Sequence, residues 1–160
     1  MPILIKPMET DEEVNGKAFV HWKCWQKTYP GLVSQEYLEK LTLQKCEEMA
    51  FRWRDSILVA KDGDRVVGFV GYGDHGPEEP DMGEVYALYV LPEYHGMGVG
   101  KQLMDAALEA LAAYPRICLS TVKGNGRAVR FYGKCGFHLT GEEVFRQSIS
   151  AYGIRMLMEK

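Results

Sequence analysis

The chain lacks the marks of several protein classes at once. Its four cysteines, Cys24, Cys46, Cys118 and Cys135, form no C-x-x-C pair and have no histidine at a matching interval. Neither a structural zinc module nor a disulfide framework is expected from that spacing. His21, His75, His95 and His138 are scattered singly, so no metal-ligand set is visible. Free thiols suit a reducing, cytoplasmic setting. No apolar run approaches the roughly 20 residues of a membrane span. Met1 to Lys6 has neither the long apolar stretch nor the small-residue cleavage site of a signal peptide, and reads as a first strand. No membrane partner is expected. Basic residues are not in excess: 19 Lys and Arg stand against 22 Asp and Glu, for a net charge of -3. That balance argues against nucleic acid as a partner. No repeat, low-complexity tract or linker divides the 160 residues, so a single domain over 1–160 is expected. A chain of this length can bury a full core.

What is present is a glycine loop between two periodic segments. An apolar run from Val85 to Leu91, closed by Pro92, leads into Gly96-Met97-Gly98-Val99-Gly100 and then a helical run from Lys101 to Ala113. A buried strand emptying into a loop that opens a helix aims backbone N–H groups and the positive end of the helix dipole at one spot. Such a spot holds a phosphate or pyrophosphate. The dinucleotide fingerprint needs a glycine at Lys101 or Leu103, and the Walker pattern needs glycine at His95 and Ser or Thr at Gln102; both fail.

Periodicity places the other elements around that loop. Ile3–Lys6 reads as a strand, and Glu12 to about Tyr29 as a helix broken by Pro30-Gly31. A second helix is expected from Ser34 to about Arg54. Ile57–Lys61 and Arg65–Gly73 flank Asp62-Gly63-Asp64 as a hairpin. His75–Asp81 reads as an exposed loop, and Glu84–Leu91 as the strand before the glycines. Gly98–Ala113 is a helix with Val99, Leu103, Ala107 and Leu111 inward. Arg116–Val122 is a strand, Asn125–Lys134 a helix ended by Gly136, and Phe137–Phe145 and Ile149–Met158 are closing strands.

His95-Gly96-Met97-Gly98-Val99-Gly100, followed by Asn125-Gly126-Arg127-Ala128-Val129-Arg130-Phe131-Tyr132-Gly133-Lys134-Cys135-Gly136-Phe137, resembles the GNAT superfamily of N-acetyltransferases. The stretch from His95 is similar to that family's [Gln/Arg]-x-x-Gly-x-Gly pyrophosphate loop, with His95 in place of Gln or Arg. The stretch from Asn125 resembles its N-x-x-A-x-x-F-Y-x-x-x-G-F segment. The resemblance covers about Glu84 to Phe137. It implies an α+β fold of three layers: a central mixed, mostly antiparallel sheet of about seven strands flanked by about four helices. It also implies an acetyl-CoA-dependent N-acetyltransferase acting on a primary amine of a small molecule or peptide by direct attack in a ternary complex. The implied partners are acetyl-CoA as cosubstrate and an amine acceptor, with a homodimer as an allowed assembly and no metal. The competing reading is a non-catalytic acyl-CoA-binding sensor, against which Tyr132 leans.

By that resemblance Leu88, Tyr89 and Val90 offer the cofactor a strand edge, the Leu88 N–H facing the thioester oxygen and Val90 the pantetheine amides. His95, Gly96, Met97, Gly98, Val99, Gly100 and Lys101 form the pyrophosphate loop, with backbone amides as the main donors. Asn125 reads as a helix N-cap and, by resemblance, touches the cofactor arm. Tyr132 diverges from Phe131 by about 100° on its helix, and its family counterpart protonates the departing thiolate. Glu84 matches the general-base glutamate of some GNAT enzymes. An amine of pKa about 10.4 cannot hand its proton directly to a carboxylate near 4.3, so relay through waters, or a glutamate raised by burial, is required. Trp22, Trp25 and Tyr29 read either as core or as a cleft wall. Glu78, Glu79 and Asp81 read either as solvated or as a draw for a cationic amine.

Overall fold

In the computed structural model, which describes residues 2–160, Thr10 and Glu13 open the longest helix, α1 (Asp11–Thr28), with a capping box. The Thr10 hydroxyl accepts from the Glu13 N–H at 3.1 Å, and the Glu13 carboxylate accepts from the Thr10 N–H at 3.1 Å. The same buried carboxylate receives Lys6 at 2.6 Å and Lys61 at 3.0 Å. Lys6 above all holds its carboxyl far below the usual range, which ties α1 to the first two strands.

The expected second helix is two. The chain forms α2 (Gln35–Lys40) and α3 (Leu43–Arg52), separated at Leu41-Thr42. Apolar spacing continues across the break, but the Thr42 hydroxyl accepts from the Lys45 N–H at 3.2 Å and starts a helix of its own. With α4 (Val99–Ala110) and α5 (Gly126–Lys134) the helices number five among the described residues, one more than expected. None is long and apolar enough to cross a membrane.

The strands are β1 (Leu4–Pro7), β2 (Ile57–Asp62), β3 (Arg65–Asp74), β4 (Met82–Val90), β5 (Arg116–Val122), β6 (His138–Arg146) and β7 (Ala151–Glu159). They form one sheet in the order β1-β2-β3-β4-β5-β7-β6, antiparallel throughout except between β4 and β5. Two neighbours in β3 show the layering. Phe69 lies beneath Lys17 and His21 of α1, whereas a side chain on Gly68 would strike Leu103 of α4 at 3.1 Å. Successive strand residues face opposite ways, so α1 and α4 sandwich the sheet. Val99, Leu103, Ala107 and Leu111 are all buried, as their spacing predicts. Burying Phe69 alone contributes about 1.5–3 kcal/mol.

One irregularity opens the sheet. Gly71 pairs with Ala87 but Tyr72 pairs with Val85, so Tyr86 is an extra residue in β4. Such a bulge bends the strand that carries it. The parallel pairing of β4 with β5 runs from Met82 with Arg116 to Val85 with Leu119 and ends there. Beyond it the two strands diverge.

Candidate functional site

The divergence leaves a cleft of about 690 Å³ between β4 and β5. Its β4 wall is a backbone edge. The Leu91 N–H donates to the Val67 carbonyl at 2.9 Å. By the alternation of an antiparallel pair, Leu88 and Val90 therefore turn their backbone groups away from β3, into the cleft. Two side chains already reach the Val90 carbonyl: His95 Nε2 at 2.8 Å and the Cys24 thiol at 3.4 Å. A carbonyl only accepts, so His95 holds its proton on Nε2. His95 thus folds back on the strand edge, and the loop's donors are its backbone amides.

The glycines of the loop serve two separate ends. Gly96 and Gly98 adopt φ of 80° and 81°, the left-handed region that side chains resist. Gly100 instead gives room to α5: a Cβ there would stand 3.2 Å from the Phe131 ring. Gly98 is the N-cap of α4 and has no side chain to cap with. Thr10, Ser34, Thr42 and Asn125 cap the other four helices. The uncapped helix is the one whose first turn lines the cleft, so its N–H groups and dipole face that space. Lys27, Lys101 and Arg127 bring three positive charges to the same walls.

A match to the family model "Acetyltransferase (GNAT) family" covers residues 18–137. The chain belongs to that family. An uncharacterised N-acetyltransferase of Archaeoglobus fulgidus is 32% identical over 120 residues, 69% of this chain and 79% of the relative. One of Mycobacterium bovis is 38% identical over 97 residues, 58% of this chain, and the match spans 59% of the mycobacterial protein. Among solved structures, PaiA N-acetyltransferase of Thermoplasma acidophilum in complex with coenzyme A superposes with a TM-score of 0.77 over 100% of both chains at 23% identity. At that identity the likeness establishes the fold: this is the GNAT sheet, opened between its fourth and fifth strands.

Leu88, Tyr89, Val90, His95, Gly96, Gly98, Val99, Gly100, Lys101, Asn125 and Tyr132 all line the cleft of this GNAT chain. Met97 sits in the loop but points outward, 60% exposed. Glu84 lies outside the lining, on the α1 side of β4. Asn125 caps α5 through the Ala128 N–H at 3.3 Å. Tyr132 is packed against Phe131 and Phe137, and burial raises its phenol above the ordinary value, with Tyr29 adding to the effect. Phe131 shares the cleft wall with Tyr132.

Of the three aromatics left open, Tyr29 reaches the cleft, where its hydroxyl meets that of Tyr89. Trp25 packs between Tyr29 and Tyr37 in the core, and Trp22 faces away from the cleft, beside Leu38 and Leu41. The acidic loop is largely neutralised. Asp81 pairs with Arg116 at 3.0 Å and Glu79 with Arg155 at 3.0 Å. Lys27 and Arg127 carried no recognisable signal in the sequence, because single cations on separate helices form no pattern until the fold brings them together.

Proposed function

We propose that this protein transfers an acetyl group from acetyl-CoA to a primary amine by direct attack in a ternary complex. The observation that carries the proposal is the uncapped N-terminus of α4 opening onto the same cleft as the free edge of β4 and the Tyr132 phenol. A pyrophosphate suits the amides of Gly98 to Lys101, with Lys27, Lys101 and Arg127 as counter-charges. The pantetheine arm then runs along Leu88 and Val90. The Leu88 N–H donates to the thioester oxygen, an interaction worth about 3 kcal/mol as charge develops there.

The amine nitrogen attacks the thioester carbon, the tetrahedral intermediate collapses, and the C–S bond breaks. The departing thiolate takes its proton through Tyr132. A phenol raised by burial keeps its proton, so Tyr132 acts first as a hydrogen-bond donor to the forming thiolate, and solvent replaces the proton it gives. A second N–H proton passes to solvent as the intermediate collapses, making good the one Tyr132 gives. Before the attack the substrate ammonium has yielded its first proton by water towards Glu84. Products are the acetamide, the free thiol of CoA and that proton.

The test is thiol release from acetyl-CoA over a panel of amines, aminoglycoside-type antibiotics and peptides, repeated with Tyr132→Phe. The substitution keeps the ring and should preserve the fold and the thermal shift by acetyl-CoA while lowering kcat by about 10²- to 10⁴-fold. Full activity in Tyr132→Phe moves the acid role to solvent. Absence of turnover across the panel, with acetyl-CoA bound, favours an acyl-CoA sensor instead.

A further inference from the structure

Three donors that the sequence scatters are gathered at one point beside the cleft. Glu84 of β4 and Cys118 of β5 are register partners in the parallel pair. His75 extends β3 by one further rung, its N–H donating to the Met82 carbonyl at 2.9 Å. Three consecutive strands thus present a carboxylate, a thiol and an imidazole on one face. The ligand atoms lie within 4.8 Å of one another, the one such cluster among the described residues. We propose that His75, Glu84 and Cys118 form a binding site for a divalent cation of the zinc class.

The spacing fits. Zinc bonds of about 2.3 Å to sulfur and 2.0–2.1 Å to nitrogen put the two ligand atoms about 3.6 Å apart in a tetrahedron. Cys118 Sγ and His75 Nδ1 are 3.5 Å apart. Glu84 Oε1 is 2.7 Å from the same nitrogen, a hydrogen bond that widens by a small rotation of the carboxylate when the metal enters between them. The donor set of one sulfur, one nitrogen and one oxygen selects a borderline cation over calcium or magnesium, which take oxygen. Thiolate and carboxylate together balance its two charges. Three protein ligands leave a fourth position for water, open to solvent through the partly exposed His75 and Glu84.

An independent observation points the same way. A metal-bound histidine nearly always donates its other ring N–H to a carboxylate, carbonyl or water, which holds the ring in place. The Nε2 of His75 lies 3.1 Å from Glu79 Oε2, and Glu79 is itself held by Arg155 at 3.0 Å. Arg155 also lies beside Cys118, and its buried Nε has no hydrogen-bond partner. A metal-bound thiolate supplies that N–H with an acceptor.

The test uses the full chain stripped by a chelator and titrated with Zn²⁺ against a chromophoric competitor. Co²⁺ is added in parallel to read the thiolate-to-metal charge-transfer absorption. We expect a single site, a charge-transfer band that vanishes in Cys118→Ser, and a loss of affinity of about 10- to 100-fold in Glu79→Gln. His75→Ala should lose at least as much. Cys135→Ser, which alters the most accessible of the other thiols, should keep both band and affinity. Circular dichroism establishes that each variant is folded. Absence of Zn²⁺ binding in the parent, or an unchanged band in folded Cys118→Ser, overturns the site. If the amine-transfer reading above also holds, Zn²⁺ inhibits turnover by ligating Glu84. Binding without inhibition keeps the metal site and removes Glu84 from the reaction.

Discussion

The hydroxyls of Tyr29 and Tyr89 meet at 3.0 Å on the wall of the cleft, although 60 positions separate them in the chain. The contact joins the end of α1 to the free edge of β4. Burial raises both phenols above their ordinary value, so each stays protonated at any working pH. Tyr29→Phe removes one partner of this part-buried hydrogen bond, at a cost of about 0.5–1.5 kcal/mol. Chemical denaturation should show that loss. The double variant with Tyr89→Phe should recover part of it, because no unpaired hydroxyl remains.

Gly98 separates backbone conformation from steric access. A Cβ added there meets nothing within 4 Å, so the left-handed φ of 81° is what excludes other residues. Asn tolerates that region and Val does not. In the parent, acetyl-CoA at about 100 times its Kd should stabilise the fold by roughly 2.7 kcal/mol. Gly98→Asn should keep most of the thermal shift and Gly98→Val should lose it. Loss in both variants would show instead that the cofactor needs the space a side chain takes.

Glu84→Gln tests the proton's route out of the site. In chelator-treated protein the variant should lose kcat/KM most at neutral pH. Activity should return as pH rises, because the free amine then needs no acceptor for its proton. A uniform loss across pH, or none, assigns Glu84 a purely structural part.

His21 makes the fold sensitive to mild acid. Burial, with Lys17 nearby, depresses its imidazole to about 4, and its Nδ1 has no partner. The folded value lies below the unfolded value of about 6.5, so the unfolded chain takes up the proton first. Stability is therefore whole above about pH 6.5 and falls as pH drops towards 4, by ~3 kcal/mol. Urea midpoints measured at pH 7 and pH 5 should fall steeply in the parent and far less in His21→Leu. Parallel losses in the two proteins would place the acid sensitivity elsewhere.

Much of this was legible in the chain. Residues at helical spacing, such as Val99, Leu103, Ala107 and Leu111, are buried together because their period matches the helix that carries them. Arg116–Val122 is a strand with the bounds its apolar run suggests. Asn125 announced a cap, because a cap is a demand of local geometry; the left-handed backbone at Gly96 and Gly98 came from the structure. The break at Leu41-Thr42 was hidden: the apolar spacing runs on across it, and only the Thr42 side chain's capping bond decides for two helices.

The sequence by itself determined most of the elements, the glycine loop and the family, since all three depend on residues close together in the chain. Only the tertiary structure decided where β4 parts from β5, because the extra residue at Tyr86 has meaning only against the register of β3. It also turned His95 back onto Val90 and paired Tyr29 with Tyr89. Single histidines and a lone cysteine carry no ligand pattern along the chain. Strand pairing sets His75, Glu84 and Cys118 side by side, because hydrogen-bonded ladders bring together residues whatever their separation in sequence.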